Sequence, residues 1–229
     1  MILLFWDIDG TLLTTGRAGI IAWEDACRAL TRQALDFQQL KTDGLTDHQV
    51  AMAIMEQARH ASTDEDLRRM VRCYEDRLPE RLHERKGRVL EGVREVLEHF
   101  RASRPDIHSM LLTGNTEAGA RAKLTHYGLA EFFEGGAFSV DAGPRAAIAN
   151  RALQTVRRNF PNENIEPQHV FVIGDTPHDI ACAKAIGARA VAVATGVYSA
   201  ADLRAYGAWR VFNRVPPPHE FTALVEDAV

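Results

Sequence analysis

Five apolar residues, Ile2 to Trp6, run directly into Asp7-Ile8-Asp9-Gly10-Thr11-Leu12-Leu13. An apolar run of that length, bounded by turn residues, reads as a buried strand. Two carboxylates at the end of a buried strand cost stability unless something pairs with them, and a divalent cation is the simplest partner. Taken alone, Asp-Gly is an ordinary turn. The constraint on the fold comes from what recurs downstream.

A second apolar run, His169 to Ile173, ends in Gly174-Asp175-Thr176-Pro177-His178-Asp179, and a third, Ile107 to Leu112, ends in Thr113-Gly114-Asn115. Further strand-like runs lie at 136–140 and 189–194. Helical patterns occupy the intervals near 92–103, 117–127, 145–159 and 177–186. This alternation predicts an α/β fold, a Rossmann-like parallel sheet with helices on both faces. In such sheets ligands bind at the carboxyl ends of the strands. That edge would gather Asp7, Asp9, Asp175 and Asp179 with the Thr113 hydroxyl. Hard oxygen donors of this kind suit Mg2+ and a phosphate-bearing ligand. Some boundaries carry their own chemistry: Thr176-Pro177 offers an N-cap before a first-turn proline, Gly187 a stop, and Ser199 to Asp202 the spacing of a capping box. Pro216-Pro217-Pro218 is expected to break any regular element.

Residues 15–88 depart from the alternation. They are helix-like, rich in Ala, Arg, Glu and Leu, with no convincing strand. The expected division is a core of 1–14 and 89–229 and a helical insert of 15–88, with crossings near Thr14–Gly16 and Gly87–Leu90. A net charge of −4 gives no electrostatic case for nucleic acid or an anionic membrane surface. Hydrophobic residues at 46% and charged residues at 25% are ordinary for a globular chain. No run reaches the roughly 18 apolar residues of a membrane-spanning helix. Cys27, Cys73 and Cys182 form no CxxC pair and read as reduced thiols, which points to a cytoplasmic setting.

With DIDGTLL, LLTGN and VIGDTPHDI in this order, the chain resembles the haloacid dehalogenase-like hydrolase superfamily, close to its phosphoglycolate phosphatase-like branch. The resemblance covers most of the chain and implies Mg2+-dependent hydrolysis of a small phosphorylated metabolite, with 15–88 as a helical cap domain. It implies Asp7 as nucleophile and metal ligand. Asp9 becomes the general acid and base, giving the metal only its backbone carbonyl. Asp175 becomes a further metal ligand, and Asp179 a residue outside the metal's own ligands that orients a metal water or the basic residue. Thr113, the amides of Gly114, Ile8 and Asp9, and Asn115 would receive the phosphoryl oxygens. The family's basic residue is usually Lys, but none occurs between Lys123 and Lys184. Arg145 is assigned in its place, with Arg151 as the fallback. Arg17 and Thr46, in the insert, are expected to meet substrate. A sugar phosphomutase shares this core and remains an alternative. A phosphoryl-accepting regulatory domain would need neither Asp9 nor the insert, so both argue against it.

Overall fold

The computed structural model describes residues 1–35, 37, 40, 42, 44–60 and 63–227. Positions 36, 38–39, 41, 43 and 61–62 of the expected insert, and 228–229 at the end, lie outside the described residues. The expected first strand forms as β1 (Ile2–Trp6), and every residue in it is buried. It lies between β4 (Ile107–Leu112) and β6 (Val170–Gly174), parallel to both, with Phe5 opposite Met110 on one side and Val172 on the other. β5 (Gly136–Ala137), β7 (Arg189–Val193) and β8 (Arg210–Phe212) complete a six-stranded parallel sheet of order β5-β4-β1-β6-β7-β8.

The side-chain alternation of β1 divides the core. Ile2, Leu4 and Trp6 pack on one face with Val93, Val96, Leu97 and Phe100. Those four sit at i, i+3, i+4 and i+7 of α4 (Val93–Ser103), the spacing of one helical face. Leu3 and Phe5 pack on the other face, against Ile148, Ala152 and Val156 of α6 (Arg145–Asn159) and Ile180 of α7 (Pro177–Ala185). Burial on both faces is why β1 reads as a continuous apolar run. The remaining helices around the sheet are α5 (Glu117–His126), α8 (Ala200–Ala205) and α9 (Pro218–Glu226).

The insert is helical: α1 (Ala18–Thr31), α2 (Asp47–Gln57) and α3 (Asp64–Glu84). They enclose an apolar cluster of their own, in which Trp23 stacks on Tyr74 at 4.0 Å between ring centroids. The chain leaves and re-enters the core through a two-stranded antiparallel ribbon, β2 (Leu13–Thr14) against β3 (Arg88–Val89).

The differences from expectation are local. β5 stops at Ala137 because Ser139 gives its amide to the Asn115 carbonyl at 2.9 Å and leaves the strand direction. β6 begins at Val170 because Pro167–His169 wind a 3-10 turn. The expected capping box at Ser199 forms, with Asp202 reaching back to the Ser199 amide at 3.1 Å. The proline run was expected only to break structure. It does end the preceding chain, but Pro218 then opens α9, where its fixed φ suits a first helical turn.

α9 closes the open side of the first core cluster. Phe221 is fully buried, edge-on to Trp6 at 5.6 Å and 5.5 Å from Phe100. Phe221→Ala is expected to cost about 3–5 kcal/mol of unfolding free energy, read by urea denaturation. A loss under about 1 kcal/mol would show that the site collapses freely and that α9 does not seal the core.

Candidate active site

Parallel strands place their carboxyl ends together, and here β1, β4 and β6 deliver Asp7, Thr113 and Asp175 to one edge. Asp7 continues the pairing of β1, giving its amide to Ile173 at 2.9 Å. The chain then turns tightly, with the Leu12 and Leu13 amides both donating to the Ile8 carbonyl. Gly10 sits at φ +81°, and a Cβ there would lie 2.3 Å from an Asp175 carboxylate oxygen. Only glycine meets both demands. Thr11 donates its hydroxyl to Asp175 Oδ1 at 3.0 Å. The Gly-Thr after the two aspartates thus builds the seat of a carboxylate more than 160 residues downstream.

Asp7, Asp175 and Asp179 are all buried, and each offers a carboxylate oxygen within 4.8 Å of the others. Arg145, at the first turn of α6, is buried among them. It donates to Asp7 Oδ1 at 3.2 Å and to Asp179 Oδ1 at 2.6 Å, and a second nitrogen reaches the Gly44 carbonyl at 3.2 Å. Its Nε has no partner among the described residues. Asp179 Oδ2 turns the other way and caps α7, accepting from the Thr176 amide at 3.0 Å and hydroxyl at 2.7 Å. Asp179 therefore orients the basic residue and also stands in the carboxylate cluster itself. Arg151, the fallback, instead donates to the Phe138 carbonyl.

The cluster is electrostatically unfinished. Burial pushes the Asp7 carboxyl up to about 7, against the pull of Arg145, and Asp179 adds to the rise. Burial, then repulsion from Asp179 and Asp7, lifts Asp175 to about 8. Arg145 loses hydration on burial, yet Asp179 and Asp7 hold it above its ordinary value. Three carboxylates against one guanidinium leave an excess of two negative charges when all are ionised. A divalent cation held by oxygen donors fits that excess.

Asp9 lies apart. Its side chain is 45% exposed where that of Asp7 is 6% exposed. Its carboxylate accepts from Lys123 at 2.6 Å and from Asn115 Nδ2 at 2.9 Å. Lys123 was absent from the sequence assignment, although a signal existed. It occupies the same face of α5 as Gly119, Ala120 and Leu124, an apolar row in which a lysine is out of place. Asn115 bonds Asp9, Lys123 and the Thr113 hydroxyl, and the buried Thr113 sits beside Asp7.

Asp7, Asp9, Thr113, Gly114, Asn115, Arg145 and Asp175 all line one cavity of roughly 550 Å³. Its other wall comes from the insert, including Arg17, Trp23, Asp47 and Tyr74. Ile8 is buried in the core and does not line the cavity. Neither does Thr46: it is the N-cap of α2, accepting from the Gln49 amide at 3.2 Å while Gln49 Oε1 receives the Thr46 amide. The capping role explains its hydroxyl. At Gly114 a Cβ would lie 2.8 Å from the Leu45 carbonyl oxygen, so the missing side chain lets the insert approach closely.

A parallel α/β sheet thus carries carboxylates and a guanidinium at its switch edge, facing a helical insert. The family model for haloacid dehalogenase-like hydrolases matches residues 4–193, and the chain belongs to that family. Among curated proteins none matches by sequence. Solved structures are similar along the whole chain. A family IA, variant 3 hydrolase from Entamoeba histolytica has 18% identity and a TM-score of 0.75, with 99% of this chain and 100% of that chain covered. A protein from Haemophilus somnus described as a predicted phosphoglycolate phosphatase has 18% identity and a TM-score of 0.74, with 97% and 98% covered. CbbY from Rhodobacter sphaeroides, solved with phosphate, has 19% identity and a TM-score of 0.73, with 94% and 95% covered.

Asp47, on the insert side, carries a pH effect separate from the acidic cluster. It is buried, and one oxygen accepts from the Thr116 amide at 2.7 Å. Burial pushes its carboxyl up to about 7, with Lys123 opposing. A carboxyl raised in the folded state stabilises most below its unfolded value and loses that contribution as pH rises through about 7. Asp47→Asn keeps an acceptor and removes the charge. Relative to the parent, it is expected to gain up to about 4 kcal/mol between pH 4 and pH 8, measured by urea denaturation at both. An unchanged difference would show that Asp47 stays ionised in the folded protein.

Proposed function

We propose that the chain is a Mg2+-dependent phosphatase that hydrolyses a small phosphomonoester, phosphoglycolate-like or a sugar phosphate, through an aspartyl phosphate on Asp7. The observation that carries this reading is the division between two carboxylates on one turn. Asp7 is buried, beside Arg145 and two further carboxylates. Asp9 is half exposed at the cavity, paired with Lys123. Identical side chains in unlike surroundings are suited to different tasks. Descriptions of solved relatives as phosphatases support the reaction class.

In this reading a phosphoryl group binds against Arg145 and the Thr113-Gly114 loop, where guanidinium and amide donors meet its oxygens. An oxygen of Asp7 attacks phosphorus, and the bond to the ester oxygen breaks as Asp9 gives that oxygen a proton. Asp9, now a carboxylate, takes a proton from water, which cleaves the aspartyl phosphate and frees Asp7. Asp7 and Asp175 would hold Mg2+, with Asp179 within reach. When bound, the ion neutralises charge that otherwise repels the phosphate from Asp7. Residues 15–88 act as the cap: they form one wall of the cavity, shield the reaction from bulk water and limit substrate size.

The test is phosphate release from p-nitrophenyl phosphate and phosphoglycolate, with Mg2+ and with a chelator. Activity is expected only with the metal. Asp7→Asn should lower it by at least about 10³-fold, and Arg145→Ala by about 10²–10³-fold per folded molecule, with a loss of stability as well because buried carboxylates lose their guanidinium partner. Turnover untouched by Asp7→Asn would sink the aspartyl-phosphate reading. Hexose 1-phosphate converted to its 6-phosphate without free phosphate would move the assignment to a mutase.

A further inference from the structure

Lys123 is 5% exposed, on the apolar face of α5. A buried ammonium gives up its hydration and needs partners in return. Two are present: Asp9 Oδ2 and Asn115 Oδ1, each at 2.6 Å. Asn115 closes the arrangement by donating Nδ2 to the same Asp9 oxygen at 2.9 Å and to Thr113 Oγ1 at 2.9 Å. Asp9 Oδ2 therefore receives two donors, one rooted in α5 and one at the end of β4. No bond to Asp9 Oδ1 is made among the described residues. A carboxylate as exposed as Asp9 would otherwise be free to change rotamer.

We propose that Lys123 is a positioning residue: with Asn115 it clamps Oδ2 of Asp9, leaving Oδ1 to carry the proton delivered to the leaving oxygen of a bound phosphomonoester. This rests on the reading of Asp9 as the acid. In the step concerned, a bond forms between an Asp7 oxygen and phosphorus. The bond from phosphorus to the ester oxygen breaks, and its electron pair stays on that oxygen. The Asp9 proton joins the same oxygen. The products are an alcohol, an acyl phosphate on Asp7 and a carboxylate on Asp9 facing the Lys123 ammonium. A misplaced Asp9 hurts most when the leaving oxygen needs a proton, and least when it departs as a stable anion.

The readout is kcat/KM, which reports the steps through departure of the alcohol, for p-nitrophenyl phosphate, phenyl phosphate and phosphoglycolate with Mg2+ present. Asp9→Asn sets the scale for loss of the acid. Lys123→Met is expected to lower phenyl phosphate and phosphoglycolate by at least about tenfold more than p-nitrophenyl phosphate. Lys123→Gln, which keeps a donor, should recover part of that gap. Ratios between substrates within one preparation do not depend on the fraction of folded enzyme, so a destabilised variant remains informative. Equal losses on all three substrates in both Lys123 variants, beside unequal losses in Asp9→Asn, would make Lys123 a purely structural ion pair. Equal losses in Asp9→Asn itself would instead overturn the acid role of Asp9, and the role of Lys123 with it.

Discussion

Bringing carboxylate oxygens of Asp7, Asp175 and Asp179 within 4.8 Å of one another inside the protein is unfavourable, and much of the local architecture answers to it. Each carboxylate gives up hydration, and each repels the others. Arg145 meets two of them directly, Thr11 gives its hydroxyl to the third, and the N-terminal turn of α7 takes the second oxygen of Asp179. The compensation stops short of neutrality, as the raised carboxyls of Asp7 and Asp175 record. A site fully satisfied by its own side chains would have little use for a cation. This one keeps a deficit of positive charge at the place where the proposed chemistry needs it.

The contact between insert and core is of a different kind. Asp47 gives its amide to Gly114 and accepts from Thr116, His48 Nδ1 pairs with Ser139 Oγ at 2.7 Å, and Gln49 donates to the Gly143 carbonyl at 3.2 Å. The start of α2 therefore rests on two core loops through hydrogen bonds. Such bonds exchange with water at a net cost of only about 0.5–1.5 kcal/mol each. The insert keeps its own apolar cluster, and the chain crosses between insert and core at one short ribbon. Beside these polar contacts, Ala122 and Tyr127 pack against the insert's apolar cluster, so the two parts also share apolar surface.

The sheet was legible because its strands are buried on both faces and announce themselves as apolar runs. β1 and β4 match the sequence reading residue for residue, and α6 begins and ends where its pattern does. β8 escaped because an edge strand of three residues, Arg210 to Phe212, has too little pattern to read. The carboxylates were legible because each follows such a run. Arg145 could be named by position, but its contacts with Asp179 and Gly44 depend on folding across more than 30 and more than 100 residues. Thr46 differs from its neighbours: Gly44, Leu45 and Asp47 line the cavity, while local capping chemistry claims the Thr46 hydroxyl. Lys123 lies outside the segment that leads to Asp175 in sequence, and only the fold brings α5 beneath Asp9.

Asp7 and Asp9 show how far a sequence motif can specify chemistry. Two residues apart on a continuing strand, they would share one face and one environment. The strand ends at Trp6, and the turn that follows separates them. Asp7 stays in register with Ile173 and goes into the buried cluster, while Asp9 bridges to Leu13 and turns its carboxylate to Lys123 and Asn115. Gly10, at a φ that other residues rarely adopt, makes that turn possible without striking Asp175. The motif therefore works as a unit. Its glycine and threonine provide the geometry that gives two chemically identical carboxylates different surroundings, and those surroundings are supplied by residues from three other parts of the chain.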